Sequence, residues 1–188
     1  MVQFTTDNEN GIIKVQSEYN ATFVSRARNL HGKWDKPYWV FPIEKADQVR
    51  EALVEAYGDD GSGENVKVRV DLDKCPLVEA WDNNLTLNGK ALIATRYERD
   101  RRVKLPLTVN CIKGDFCPSG GSVKNPRATW ITGTVVEMEI PTVLWSQCED
   151  YEGITLVDGD KDKRSALEAE KEKLQKRLQE IEQELANL

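Results

Sequence analysis

The sequence predicts an α+β protein in three segments: a small N-terminal αβ module over residues 1–58, an antiparallel β-rich barrel or sandwich over 64–160, and a C-terminal coiled-coil helix over 161–188. Three observations predict this. Within residues 11–57 the apolar pattern switches from alternation to helical spacing and then repeats the switch. Beyond the DDGSG stretch at 59–63, a linker by composition, alternation dominates. From residue 163 onward apolar residues recur every seven positions, with no glycine or proline to interrupt them.

In the first segment Ile13 and Val15 alternate with polar neighbours, as in a short half-buried strand. Phe23, Ala27 and Leu30 then follow at helical spacing behind Asn20, which is suited to capping a helix, and His31-Gly32 ends that helix. Trp34, Tyr38, Trp39 and Phe41 crowd around a turn carrying Asp35, Lys36 and Pro37, an aromatic hairpin closed by Pro42. Ala46, Val49, Leu53 and Ala56 mark a second amphipathic helix. In the run Tyr38-Trp39-Val40-Phe41 alternate side chains face opposite ways, and Trp39 with Phe41 are expected on the inner face. A module this small needs its aromatics as core, which leaves the tips of Tyr38 and Trp34 as the expected points of contact with unpaired bases.

Residues 11–57 resemble the HARP domain of annealing helicases, and more loosely the short aromatic modules of plasmid and phage proteins. The likeness rests on Tyr19-Asn20, Phe23, Leu30, Gly32-Lys33-Trp34-Asp35, Trp39-Val40-Phe41-Pro42 and the apolar face of the helix that follows. It covers about a quarter of the chain. The resemblance implies a setting in DNA remodelling, because such domains sit beside helicase motors acting on branched or melted DNA. The chain has no Gly-x-x-x-x-Gly-Lys-Ser/Thr loop and too little length for two motor lobes, so what the resemblance implies here is binding or recruitment.

The second segment carries five or six candidate strands between Trp81 and Leu156. Val66, Val68 and Val70 alternate with polar residues just before them, and Asn88-Gly89 between Leu85-Thr86-Leu87 and Ala91-Leu92-Ile93-Ala94 is a strong hairpin signal. Further strands are expected within 103–109, 129–140 and 154–157. So many short strands must close or stack to hide their apolar faces. The stretch 114–127, GDFCPSGGSVKNPR, lacks the spacing of a phosphate-binding loop and is expected to be a long mobile loop with Lys124 and Arg127 at its tip.

Charge is unevenly spread. Residues 90–104 hold Lys90, Arg96, Arg99, Arg101, Arg102 and Lys104 against Glu98 and Asp100, whereas Ala128 to Asp160 contains seven acidic residues and no Lys or Arg. The basic tip suits a phosphate backbone or an acidic protein patch. The acidic stretch suits the opposite role of filling a DNA-binding groove on another protein; alternatively, both are solvated surface whose charges pair within the fold. Over residues 1–58, 7 Lys and Arg face 8 Asp and Glu, and the whole chain carries a net charge of −6, which argues against a general DNA-coating protein.

In the tail, Leu167, Leu174, Ile181 and Leu188 stand seven apart, and Leu178 and Leu185 fill alternate seam positions, with Lys171 as a polar seam residue that favours two strands. An isolated helix of this length is marginal in water, so the stripe calls for a partner; homodimerisation is expected first, and folding back on the same chain or binding a helix of another protein is the alternative. Cys75, Cys111, Cys117 and Cys148 lack the spacing of a four-cysteine zinc site and are expected as reduced thiols, largely buried. No stretch is long or apolar enough for a membrane, and the first residues lack a signal-peptide pattern, so cytoplasmic residence is expected. Asp71, Asp73 and Glu79 make a weak cation-binding pattern. With one histidine, His31, in no motif, neither catalysis nor a cofactor is expected.

The expected function is that of a dimeric binding protein in DNA transactions, holding branched or single-stranded DNA or recruiting a DNA-processing enzyme. Its contacts would come from Lys33, Trp34, Lys36 and Tyr38, from Arg96, Arg99, Arg101, Arg102 and Lys104, and from Lys124 and Arg127. The alternative is a regulator from a phage or other mobile element that inhibits a host nucleic-acid enzyme or defence complex through charged surfaces.

Overall fold

Apolar alternation at Ile13 and Val15 is realised as a strand in the middle of a sheet. In the computed structural model, which describes residues 2–157, β1 (Gln3–Asp7), β2 (Ile12–Gln16), β3 (Lys33–Asp35) and β4 (Tyr38–Pro42) form an antiparallel sheet in the order β1-β2-β4-β3. Helices α1 (Ala21–Asn29) and α2 (Ala46–Tyr57), the latter entered through a 3-10 turn at Ile43–Lys45, contribute to the core of this sheet. Ile13, Val15 and Phe41 from the strands meet Phe23 and Ala27 of α1 and Val49, Ala52 and Leu53 of α2 in one buried cluster. Asn20 caps α1 as expected, its Oδ1 accepting from the amides of Thr22 (2.8 Å) and Phe23 (3.2 Å). Its Nδ2 donates to the Ala56 carbonyl at 3.1 Å, tying the start of one helix to the end of the other.

The His31-Gly32 stop works by two separate means. His31 takes the left-handed conformation (φ 61°), and the Gly32 amide donates to the Ala27 carbonyl at 2.8 Å, closing the last turn. Gly32 itself is required by proximity, since a Cβ there would collide with the ring of Phe41 and the carbonyl of Ala27. The aromatic hairpin has the expected two faces. Phe41 is fully buried, Trp39 is half-buried against the same core, and Tyr38 is exposed. The Trp34 ring lies 5.5 Å from that of Trp39, and the Trp39 ring 6.4 Å from that of Phe41.

The second half of the chain forms two antiparallel sheets. Strands β5 (Asn65–Asp71), β9 (Val109–Lys113), β10 (Val135–Pro141) and β11 (Ile154–Leu156) are ordered β11-β5-β10-β9, while β6 (Val78–Trp81), β7 (Asn84–Leu87) and β8 (Ala91–Thr95) form a meander. The sheets share one core, in which Val68, Val70, Val136, Met138 and Ile140 meet Leu85, Leu87, Ile93 and Ala94. They do not close into a barrel, and the barrel expectation is corrected to two open sheets. Asn88 and Gly89 turn between β7 and β8 with φ of 54° and 64°, as an Asn-Gly hairpin requires. Residues 103–109 form no continuous strand, because Pro106 cannot donate to a ladder; only Lys104 bridges to Thr95, and β9 starts at Val109. A single turn, α3 (Thr142–Trp145), follows β10 and buries Leu144.

Part of the acidic stretch is consumed within the fold. The Glu137 carboxylate receives Arg69 at 2.7 Å and Lys67 at 3.0 Å across the strand pair, and these bonds, Arg69 first, hold its pKa below the usual value. The 59–63 linker is tied down. Arg50 reaches the Asp60 carbonyl at 2.9 Å, and the absent side chain of Gly61 leaves room for Phe4. The ammonium of Lys90, at the tip of the β7–β8 hairpin, donates to the Val54 carbonyl of α2 at 3.0 Å, and residues up to Leu156 form one compact unit. The expected coiled coil, with Leu167, Leu174, Leu178, Ile181, Leu185 and Leu188, lies outside the described residues.

Candidate nucleic-acid interface

Two loops at one end of the second sheet pair carry most of the expected contact residues, and a single buried arginine holds them together. Arg96 follows directly on β8 and is fully buried. Its Nε donates to the Arg127 carbonyl at 2.7 Å and its Nη2 to that of Cys117 at 2.5 Å. Its Nη1 reaches the carbonyls of Arg99 and Pro118, both at 3.2 Å, and that of Arg101. No carboxylate faces this guanidinium among the described residues; five carbonyl dipoles satisfy its charge. The expectation of Arg96 as a contact residue is therefore corrected. Its planar fork is buried as a clamp between loop 97–103 and residues 117–127, which only an arginine can span in this way.

The stretch expected to be a mobile loop is an irregular hairpin. Phe116 bridges Trp130 and Gly121 bridges Pro126, with the Cys117 amide donating to Thr129 (2.9 Å) and the Arg127 amide to Gly120 (3.1 Å). A side chain at Gly120 would strike the Arg127 carbonyl, so glycine there lets the hairpin close around the clamp. At the base, the indole of Trp130 donates to Asp73 at 2.8 Å and the Gly133 amide donates to the same carboxylate, which lowers its pKa, the Gly133 bond contributing most. The Asp73 oxygens thus anchor the hairpin, and among the described residues no cluster of three His, Cys, Asp or Glu has the geometry to hold a metal ion.

Arg99, Arg101, Arg102, Lys104, Lys124 and Arg127 are all exposed. Arg99 pairs with Asp100 at 3.4 Å and Arg101 with Glu98 at 3.0 Å, so much of their charge is spent locally. Arg102, Lys104, Lys124 and Arg127 form no ion pair among the described residues. Lys124 and Arg127 line an open groove of about 490 Å³ together with Asn125, Pro126 and the Asp82-Asn83 turn.

The other expected contacts sit elsewhere. Lys33, Trp34, Lys36 and Tyr38 are exposed, but they belong to the first sheet, and no hydrogen bond or ion pair links them to the basic loops among the described residues. Pairing of Lys33 with Val40 and of Trp34 with Trp39 splits even this group: Lys33 shares the outer face with Tyr38, while Trp34 extends the inner face to the sheet edge. Cys75 and Cys148 are buried in one cluster, where desolvation raises the pKa of both thiols.

Two exposed aromatics next to the groove went unread in the sequence: Trp81, ending β6, and Tyr97, following Arg96. Each is a lone aromatic among polar residues, with no local pattern to mark it. No protein-family model, curated protein or solved structure matches the chain.

Proposed function

We propose that the protein is a non-enzymatic binding protein acting in DNA transactions, with its principal contact surface on the two loops clamped by Arg96. The observation carrying this reading is that two basic segments far apart in sequence, one with Arg102 and one with Lys124 and Arg127, are joined by the buried Arg96 guanidinium, and that Lys124 and Arg127 line an open groove. Cations on a support fixed in this way lose little freedom on meeting a phosphate backbone. The resemblance of residues 11–57 to HARP domains, with Trp34 and Tyr38 exposed, supports the same setting, and pairing of two chains through the tail would add avidity.

A second reading is favoured by one observation. Glu149, Asp150 and Glu152 are exposed and without ion pairs among the described residues, which suits a regulator that presents acidic groups to a nucleic-acid enzyme. Fluorescence anisotropy with single-stranded, duplex and forked DNA separates the two. Binding at low salt should weaken as salt rises, and the combined change of Arg102, Lys124 and Arg127 to alanine should reduce affinity and flatten the logarithmic salt slope by about 2 to 3. Absence of binding to all three DNAs at low salt leaves the protein-targeting reading.

A further inference from the structure

Trp81 and Tyr97 are large aromatic side chains that the fold leaves in water, 76% and 67% exposed, although buried sites for aromatics exist in both cores. Both flank the same turn. Trp81 precedes Asp82-Asn83 in the chain, and Tyr97 follows Arg96, whose backbone amide donates to the Asn83 carbonyl at 2.8 Å. That turn is one wall of the groove whose other wall carries Lys124 and Arg127.

Strand pairing sets the register of this surface. Trp81 is opposite Asn84, Asn84 opposite Thr95, and Thr95 opposite Lys104, so the four side chains form one row across the same sheet face. Three interstrand steps place Trp81 and Lys104 about 14 Å apart at the backbone. An aromatic platform and a cation are thus offered on one sheet face, two residues apart in the row, on a support braced by Arg96, which pins the loop after Tyr97 and the hairpin beyond the groove.

We infer that this surface is a binding site for unpaired DNA strand, with Trp81 and Tyr97 stacking on bases while Lys104, Lys124 and Arg127 hold the backbone. The inference rests on the DNA-binding reading above and narrows it. In duplex DNA the base faces are already stacked on one another and present nothing to an aromatic ring, whereas an unpaired strand presents a π-face at every base. Asp82 opposes phosphate inside the groove, so the backbone passes on the Lys124–Arg127 side and the bases lie toward the turn, where the Asn83 amide can meet their edges.

The test uses the full chain with labelled oligothymidylate and a duplex of equal length. Trp81→Ala and Tyr97→Ala should each weaken oligothymidylate binding by about five- to a hundred-fold while leaving the salt slope and duplex binding unchanged, because stacking releases no counterions. Trp81→Phe, which keeps a π-face, should recover part of the loss. Both side chains are exposed, so circular dichroism and melting of the variants should match the parent. If oligothymidylate and duplex bind equally and the aromatic variants bind like the parent, the stacking site is overturned while DNA binding stands. If neither DNA binds, the broader reading falls with it.

Discussion

Arg96 decides more than any other single residue in the described structure. Five carbonyl oxygens converge on a guanidinium with no surface exposure and, among the described residues, no opposing carboxylate; of the five, the Arg99 carbonyl also accepts from the Gly120 amide at 3.1 Å. Arg96→Ala would leave the carbonyls of Arg101, Cys117, Pro118 and Arg127 without this donor, and the expected loss in urea-unfolding stability is about 3 to 5 kcal/mol. Arg96→Lys keeps the charge but offers three donors from a point rather than five in a fork, and should fall between the two. A lysine variant as stable as the parent would show that charge alone closes the loops. Nothing local in Thr95-Arg96-Tyr97 marks this role, because the groups that bury the arginine come from as far away as Arg127.

At the scale of the element, the β3–β4 hairpin shows how alternation and packing divide the work. The sequence requires that Tyr38 and Val40 face one way and Trp39 and Phe41 the other, and the choice of inner face follows from which pair the helices cover. Phe41→Ala should cost about 3 to 5 kcal/mol, seen as a lower melting temperature, because it opens a cavity between β2, α1 and α2. Tyr38→Ala should leave stability within about 0.5 kcal/mol of the parent. Trp39 is half-buried and should fall between them. Equal melting of the Phe41 and Tyr38 variants would contradict this division. The 116–130 hairpin is a different case: no apolar alternation announces it, and its closure depends on Gly120, Gly121 and the remote clamp.

For the whole molecule, the tail from residue 163 carries an uninterrupted heptad pattern, and its pairing would double any DNA site on the chain. Light scattering at micromolar concentration should give twice the 21.3 kDa chain mass, and removal of 163–188 should give monomers that still unfold cooperatively and whose circular dichroism spectrum loses only a helical contribution. Such a truncation should also weaken binding to long single strands more than to short ones, since only a long strand engages two sites at once. A monomeric full-length chain would remove the homodimer from the proposal.

By itself the sequence determined the elements whose cause is local: α1 behind the Asn20 cap, α2 from its apolar stripe, the Asn88-Gly89 hairpin, the strand at 66–70 and the mixed α+β class. Each is specified by periodicity or by a backbone conformation that few residues accept. It also located the basic loops, because charge is legible without a fold. The tertiary structure alone decided which of those charges remain available. Burial turned Arg96 from a contact into a clamp, ion pairs consumed Arg99, Arg101 and Glu137, and strand pairing together with the Arg96 amide bond to Asn83 set Trp81 and Tyr97 on either side of one turn. The physical reason is that solvation and pairing are properties of a side chain's neighbours in space, and here those neighbours come from up to 68 residues away in the chain.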